Sequence, residues 1–250
     1  MRALCLVREA IHYRRECYLL GLEAAGFEIV GAIYRPQPDD VLVIWNRYGH
    51  FALEADRFEK AGARVLVTEN GWLGKHWRGE EWFALSIGHH CGAGEFNAGG
   101  SDRWDGWKVK MDPFRHEGER VILGQRGIGP PGIAAPQGWA EHVQSIYGGR
   151  IRQHPGQTAA MPIEQDLANA GEVLTWNSGG ALKALMLGIP VQYGFDRWIG
   201  RSAAARLGAP LVRSEEARLN MFRRLAWGMW TLAEIRSGEP FDRILSSVEV

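Results

Sequence analysis

The sequence predicts an α/β protein made of two doubly wound halves. Three observations predict it. Strand-like runs of continuous apolar residues alternate with helical patterns, as in a parallel sheet covered on both faces. The alternation lapses after Gly71 and starts afresh at residue 120. Polar, glycine-bearing turns fall just after the strands, where open α/β sheets bind ligands. In order, RALCLV (2–7) reads as a strand, and Ala10, Tyr13, Cys17, Leu20 and Ala24 follow at helical spacing until Gly26. FEIVGAIY (27–34) and VLVIWN (41–46) read as strands, FALEADRFEKAG (51–62) as a helix, and VLVT (65–68) as a strand. From Gly71 to residue 118, Trp72, His76, Trp77, Trp82, His89, His90, Trp104 and Trp107 sit among glycines, in a connection long enough to be functional. The second alternation runs through RVILG, a PPG-bearing loop, QGWAEHVQSIYG, RIRQH, PIEQDLANA, VLTW, GALKALMLG and PVQYG. An amphipathic segment from Ser214 to Ser237 closes the pattern. The expected domains are 1–117, 118–213 and a helical segment 214–250, with the ligand site in the cleft between the halves.

Composition narrows the function classes. Lys+Arg and Asp+Glu both number 29, so no global charge argues for nucleic acid or membrane. Cys5, Cys17 and Cys91 form no CxxC pair, and Cys5 and Cys17 are expected as buried thiols in a reducing compartment. The apolar start is broken by Arg8 and Glu9, which suits neither a signal peptide nor a membrane span. A cytoplasmic monomer is expected.

The residues after the strands carry the chemistry. Glu69, ahead of Asn70-Gly71-Trp72, is placed to act as a general base or to cap a turn. His89 and His90 in IGHHCGAGEF have a reference pKa suited to proton abstraction, and the alternative is a surface loop. In GQRGIGPPG (124–132), Gln125, Arg126 and Gly127 offer amides and a guanidinium to an anion, without the pattern of a dinucleotide or P-loop motif. Strand 150–153 delivers Arg152 and then the His154-Pro155-Gly156 turn. Asn177, Ser178, Gly179 and Gly180 open a helix after a strand, where unpaired amides would stabilise a phosphate; the plain alternative is a serine cap.

QRGIG, RxHPG and LTWNSGGALKALMLGIPV, in this order, resemble the carboxyl half of a GT-B glycosyltransferase. The likeness is to the capsule-polysaccharide-biosynthesis group and to small phage-encoded glycosyltransferase-like proteins. The phage likeness extends over ENGW, HHCGAGEF, SDRW (101–104) and RRLAWGMW…SGEPF. The resemblance implies two Rossmann-like domains facing across a cleft, with a C-terminal helix crossing back to the first. It implies that Gln125, Arg126, Gly127, Arg152, His154, Asn177, Ser178, Gly179 and Gly180 hold a nucleotide diphosphate. Lys183 stands in the helix where many such enzymes carry a ribose-binding Glu.

The function expected is sugar transfer from a nucleotide sugar, a UDP-sugar such as UDP-glucose first, to an acceptor hydroxyl, with no obligatory metal. Glu69, His89, His90 or Asp102 would be the base, and Tyr193, Phe195 and Trp198 would line the base or sugar pocket. The first acceptor expected is a hydroxymethylated pyrimidine, such as 5-hydroxymethylcytosine, in bacteriophage duplex DNA, in the host cytoplasm. Trp72, Lys75, His76, Arg78, Arg103, Lys108 and Lys110 would then form a basic, aromatic surface over residues 71–110. The alternatives are a capsule-type glycan or lipid-linked acceptor, a nucleotide-sugar epimerase, and a non-catalytic binding protein.

Overall fold

A computed structural model describes residues 1–90, 92–155 and 161–245. The chain divides into two compact units, Met1–Gly99 with Ala226–Val250, and Gly100–Leu225. In the first, β1 (Arg2–Cys5) leads through a loop to α1 (Arg15–Ala24), followed by β2 (Glu28–Ile29) and β3 (Val41–Trp45). Next come α2 (His50–Lys60), β4 (Arg64–Asn70), β5 (His76–Trp77) and β6 (Glu80–Ile87). The second unit contains α3 (Asp102–Gly106), β7 (Glu119–Leu123), α4 (Trp139–Tyr147), β8 (Arg150–Arg152) and α5 (Ile163–Asp166). It continues with β9 (Ala170–Thr175), α6 (Gly180–Met186), β10 (Val191–Tyr193), β11 (Ala205–Arg206) and most of α7 (Glu215–Ala226). β12 (Met229–Thr231), α8 (Leu232–Ser237) and α9 (Glu239–Leu245) belong to the first unit.

Among the described residues the first unit carries a seven-stranded sheet in the order β12-β6-β4-β3-β1-β2, with β5 on β6. The apolar runs pair in parallel, Cys5 opposite Val43 and Trp45 opposite Thr68. On one face Leu42, Ile44, Val65 and Val67 pack with Ala55 and Phe58 of α2. On the other side of the core, buried Tyr18 of α1 meets the hydroxyl of buried Thr68 at 2.6 Å.

This sheet is mixed, which corrects the expectation of a parallel one. WFALSI, inside the segment read as irregular, forms the antiparallel strand β6, with Leu66 opposite Ile87 and Met229 opposite Ala84. The long C-terminal segment is likewise broken. The break falls at Gly228, packed so closely that an added Cβ would lie 2.5 Å from the ring of Trp72, and the next three residues pair with β6. The first helix begins at Arg15 instead of Ala10: Ile11–Tyr13 is a 3-10 turn, and Arg14 is left-handed at φ 56°. FEIVGAIY yields only the two-residue β2. Cys5 is buried as expected, but Cys17 is only half-buried.

The second unit has a parallel sheet in the order β11-β10-β9-β7-β8. Ile122 and Leu174 pack beneath Trp139, Ala140 and Val143 of α4. Residues 100–117 belong here, which sets the division at Gly99/Gly100 beside the expected 117. Trp104 stacks on Phe222 at 4.7 Å and 12°, and the guanidinium of buried Arg218 lies 4.3 Å from the Phe114 ring centroid.

Candidate functional site

The carboxyl edge of the second unit's sheet gathers the turns after β7, β8 and β9. Asn177 is buried and locks two of them together. Its backbone N–H donates to Gln125 Oε1 at 2.9 Å, its Oδ1 accepts from Gln125 Nε2, and its Nδ2 donates to the Ile133 carbonyl at 2.9 Å. Trp176 Nε1 donates to that same carbonyl at 2.9 Å. Gln125 is therefore a strut of the site. The turn then swings through Gly127 at φ 65° and Gly129 at φ 125°, leaving Arg126 exposed.

The start of α6 differs from expectation. Ser178 N–H donates to Thr175 Oγ1 at 2.9 Å, and Gly180 N–H donates to Ser178 Oγ at 3.1 Å. The amides of Ala181 and Leu182 reach the carbonyls of Ser178 and Gly179 at 3.2 and 3.0 Å. The helix thus caps itself, because serine and threonine hydroxyls compete for nearby amides. Of the amides expected to be open at Ser178, Gly179 and Gly180, those of Ser178 and Gly180 are paired.

Arg152 is also committed. It is buried, with Nε 2.5 Å from Asp166 Oδ2 and Nη2 donating to the Met161 carbonyl at 2.9 Å. Its own carbonyl accepts from Gly124 N–H at 2.9 Å, tying β8 to the turn after β7. His154 is half-buried at this edge. Burial, then the charges of Arg126 and Arg152, push its imidazole below the usual histidine range. With Arg152 paired to Asp166, the exposed Arg126 guanidinium is the positive group set beside this neutral imidazole. Gly156 of the same turn lies outside the described residues.

A depressed folded-state pKa has a signed consequence. Above the unfolded histidine value of about 6.5, His154 is neutral in both states. As pH falls below it, the unfolded chain binds the proton first and stability is lost. Urea melts between pH 7.5 and 5 are expected to show this loss, and His154→Gln is expected to flatten it.

Tyr193, Phe195 and Trp198 are all buried, with Tyr193 and Trp198 in ring contact at 5.7 Å. Trp176, directly after β9, is instead half-buried and rests over Gly194, where a Cβ would meet its ring at 2.7 Å. Trp176 is not among the expected site residues, and its signal in the sequence is an aromatic immediately beyond a strand. Asp102 and Arg103 open α3, with Arg103 lying 5.4 Å over Trp107.

The first unit places Glu69 near the end of β4, half-buried and accepting from Trp72 Nε1 at 3.0 Å. His90 is 1% exposed, and its Nδ1 accepts from the Arg47 amide at 2.9 Å. A neutral His90 therefore carries its proton on Nε2. Half-buried His89 accepts from Ser86 Oγ through its carbonyl at 2.5 Å. Arg47, unremarked in the sequence, anchors this corner: its buried guanidinium bonds Asp56, Glu59 and the Gly88 carbonyl.

No family model and no curated protein matches the sequence. Solved structures do match the arrangement of strands and helices. The chain is similar in fold to KpsC transferases. The β-Kdo 2,7 transferase of Thermosulfurimonas dismutans KpsC aligns with a TM-score of 0.58 at 13% identity, over 96% of this chain and 99% of that one. The β-Kdo 2,4 transferase of the same organism's KpsC aligns at 0.58 and 16% identity, over 89% of each chain. At such identities the KpsC likeness is one of fold alone, an α/β arrangement with a mixed and a parallel sheet.

Part of the expected basic, aromatic surface over residues 71–110 is taken up by packing. Trp72, Trp82 and Trp104 are buried, and Lys75 is held by Glu81 and the His12 carbonyl. The tryptophans fill hydrophobic cores because a buried indole removes a large apolar area from water. Among the described residues, no group of three or more His, Cys, Asp and Glu is arranged to hold a metal. None of the helices described is long and apolar enough to cross a membrane.

Proposed function

We propose that this protein is a GT-B-type glycosyltransferase that moves a sugar from a nucleotide-linked donor to a hydroxyl of a capsule-type glycan. The observation that carries the reading is the fold match to KpsC Kdo transferases, which spans nearly all of both chains. The exposed Arg126 guanidinium in the turn at the parallel sheet's carboxyl edge supports it, because ligands of such sheets bind there.

In this reading Arg126, His154 and the amides around Gly127 meet the donor phosphate. Gln125, Asn177 and Arg152 hold those groups in place, and Ser178, Gly179 and Gly180 shape the wall beside them. The Arg126 guanidinium offsets the leaving phosphate's charge and the neutral His154 imidazole donates a hydrogen bond to it, so no metal is required. The acceptor oxygen attacks the anomeric carbon, the bond from that carbon to the phosphate oxygen breaks, and the proton passes to Glu69. Trp72 orients that carboxylate. Buried His90 positions the Arg47 turn, and His89 and Asp102 are the other candidates for the base. A glycan acceptor is preferred to the hydroxymethylated pyrimidine on the KpsC likeness, and the burial of Trp72, Trp82 and Trp104 removes those rings from a DNA-facing surface. An epimerase would need no acceptor.

The test is incubation with UDP- and CMP-linked sugars, capsule-type oligosaccharides and hydroxymethylated DNA, followed by mass spectrometry. A sugar increment on the oligosaccharide is expected, lowered about 100-fold by Glu69→Gln or Arg126→Ala. An increment only on DNA, an isomerised donor without transfer, or no product from any donor would overturn the proposal.

A further inference from the structure

The loop after β1 has a feature that the transfer chemistry leaves unused. Residues 8–14 lie at the carboxyl end of β1, beside Trp45, the last residue of neighbouring β3. The Tyr13 ring meets Trp45 edge-on at 4.7 Å, and Trp45 in turn meets Phe83 at 6.0 Å. His12 lies against Tyr13 at 3.9 Å. Tyr13 and Trp45 are both half-buried, so each is held by the core and still reaches solvent.

Charge on this loop is matched, with one exception. Arg14 makes a two-pronged pair with Glu81 at 2.7 and 3.2 Å, Lys75 lies 3.7 Å from Glu81, and Arg15 pairs with Glu9 at 2.8 Å. Arg8 has no carboxylate partner among the described residues. It is exposed, with its guanidinium 5.8 Å from the Tyr13 centroid and Nη1 3.5 Å from the Tyr13 hydroxyl. The left-handed backbone of Arg14 is costly for a non-glycine residue and is held by Glu81. Lys75 fastens the same loop through the His12 carbonyl at 2.9 Å. The shelf is therefore preorganised, so little ordering remains to oppose binding.

We propose that Tyr13, Trp45 and Arg8 form a subsite for a sugar bearing a carboxylate. The assignment of that sugar to the acceptor glycan rests on the transferase reading above. The rings take the apolar C–H face of a pyranose, and the guanidinium takes the carboxylate through charge-assisted hydrogen bonds. Arg8 thereby selects an acidic over a neutral glycan. A nucleobase is less well served, because the two rings meet edge-on and present no extended stacking plane.

Binding is measured without donor, by calorimetry or saturation-transfer NMR. The probes are a Kdo-terminated disaccharide, the same disaccharide with its carboxyl reduced to an alcohol, and inorganic phosphate. The acidic disaccharide is expected to bind about tenfold more tightly than the reduced one, ~1.4 kcal/mol. Arg8→Gln is expected to erase that difference, and Tyr13→Leu to weaken both sugars alike. Arg8 is exposed and its variant should fold, so it carries the test if Tyr13→Leu does not. Equal binding of both sugars, an unchanged preference in Arg8→Gln, or displacement by equimolar phosphate would overturn the subsite. Acid-selective binding with no transfer from any donor would overturn the transferase reading and leave the subsite standing. Transfer without acid preference would do the reverse.

Discussion

Asp166→Ala is expected to destabilise the second unit by about 3 kcal/mol and to push the His154 pKa further down. Asp166 faces two guanidiniums, Arg150 at 2.7 Å and Arg152 at 2.5 Å. Arg150 keeps a second partner in Glu119 at 2.8 Å, so most of its charge stays matched. Arg152 does not: it is buried, and the Met161 carbonyl would be its remaining acceptor among its described contacts. An uncompensated buried charge accounts for the loss of stability. The same charge already opposes protonation of His154, and without Asp166 it would oppose it more strongly. Chemical denaturation reads the first effect, and a histidine NMR titration reads the second. A variant whose His154 titrates like the wild type would show that Arg152 does not set the charge of this corner. Asp166→Asn keeps the shape and loses the charge, and is expected to shift His154 in the same direction with a smaller loss of stability.

Gly21→Ala is expected to destabilise the first unit by about 3 kcal/mol, despite alanine's higher helix propensity. Gly21 lies in α1, where an added Cβ would sit 1.9 Å from the Ile235 carbonyl oxygen and 2.7 Å from the Phe241 ring. The ring could rotate, but the carbonyl is helix backbone in α8. The two helices would have to separate, opening the contacts of buried Tyr18, Leu22 and Ile235. Thermal melts should show a fall of roughly 6–12 °C for the transition of this unit. A melting temperature at or above that of the wild type would mean that α8 moves aside without loss.

Much of the alternation was legible because buried parallel strands read as uninterrupted apolar runs. VLVIW, RVIL and VQY all became strands within a residue or so of expectation. The antiparallel strand β6 was hidden because WFALSI lies among glycines and tryptophans, whose abundance pointed to a loop. The C-terminal segment misled in the opposite way. Its helical periodicity is real on both sides of Gly228, but the residues just beyond it pair with β6, and pairing across such a distance in sequence leaves no local pattern. The site was legible as a set of positions more than as a set of contacts. Gln125, Arg126, His154 and Asn177 were each visible as polar residues beyond strands. The serine cap on Gly180 was one of the two readings its local sequence offered, but nothing local showed that Gln125 would be spent on Asn177 or Arg152 on Asp166.

By itself the sequence determined the α/β class, the restart of the pattern near residue 120, and the turns that reach the sheet edges. These follow from hydrophobic period and turn chemistry, which act over a few residues. Only the tertiary structure decided which polar groups remain to meet a ligand. Hydrogen-bond partners such as Arg14 and Glu81, or Arg47 and Glu59, are chosen by what the fold brings within about 3 Å. That choice left Arg8 beside the Tyr13 ring with no carboxylate partner among the described residues, and it left His154 neutral beside two arginines.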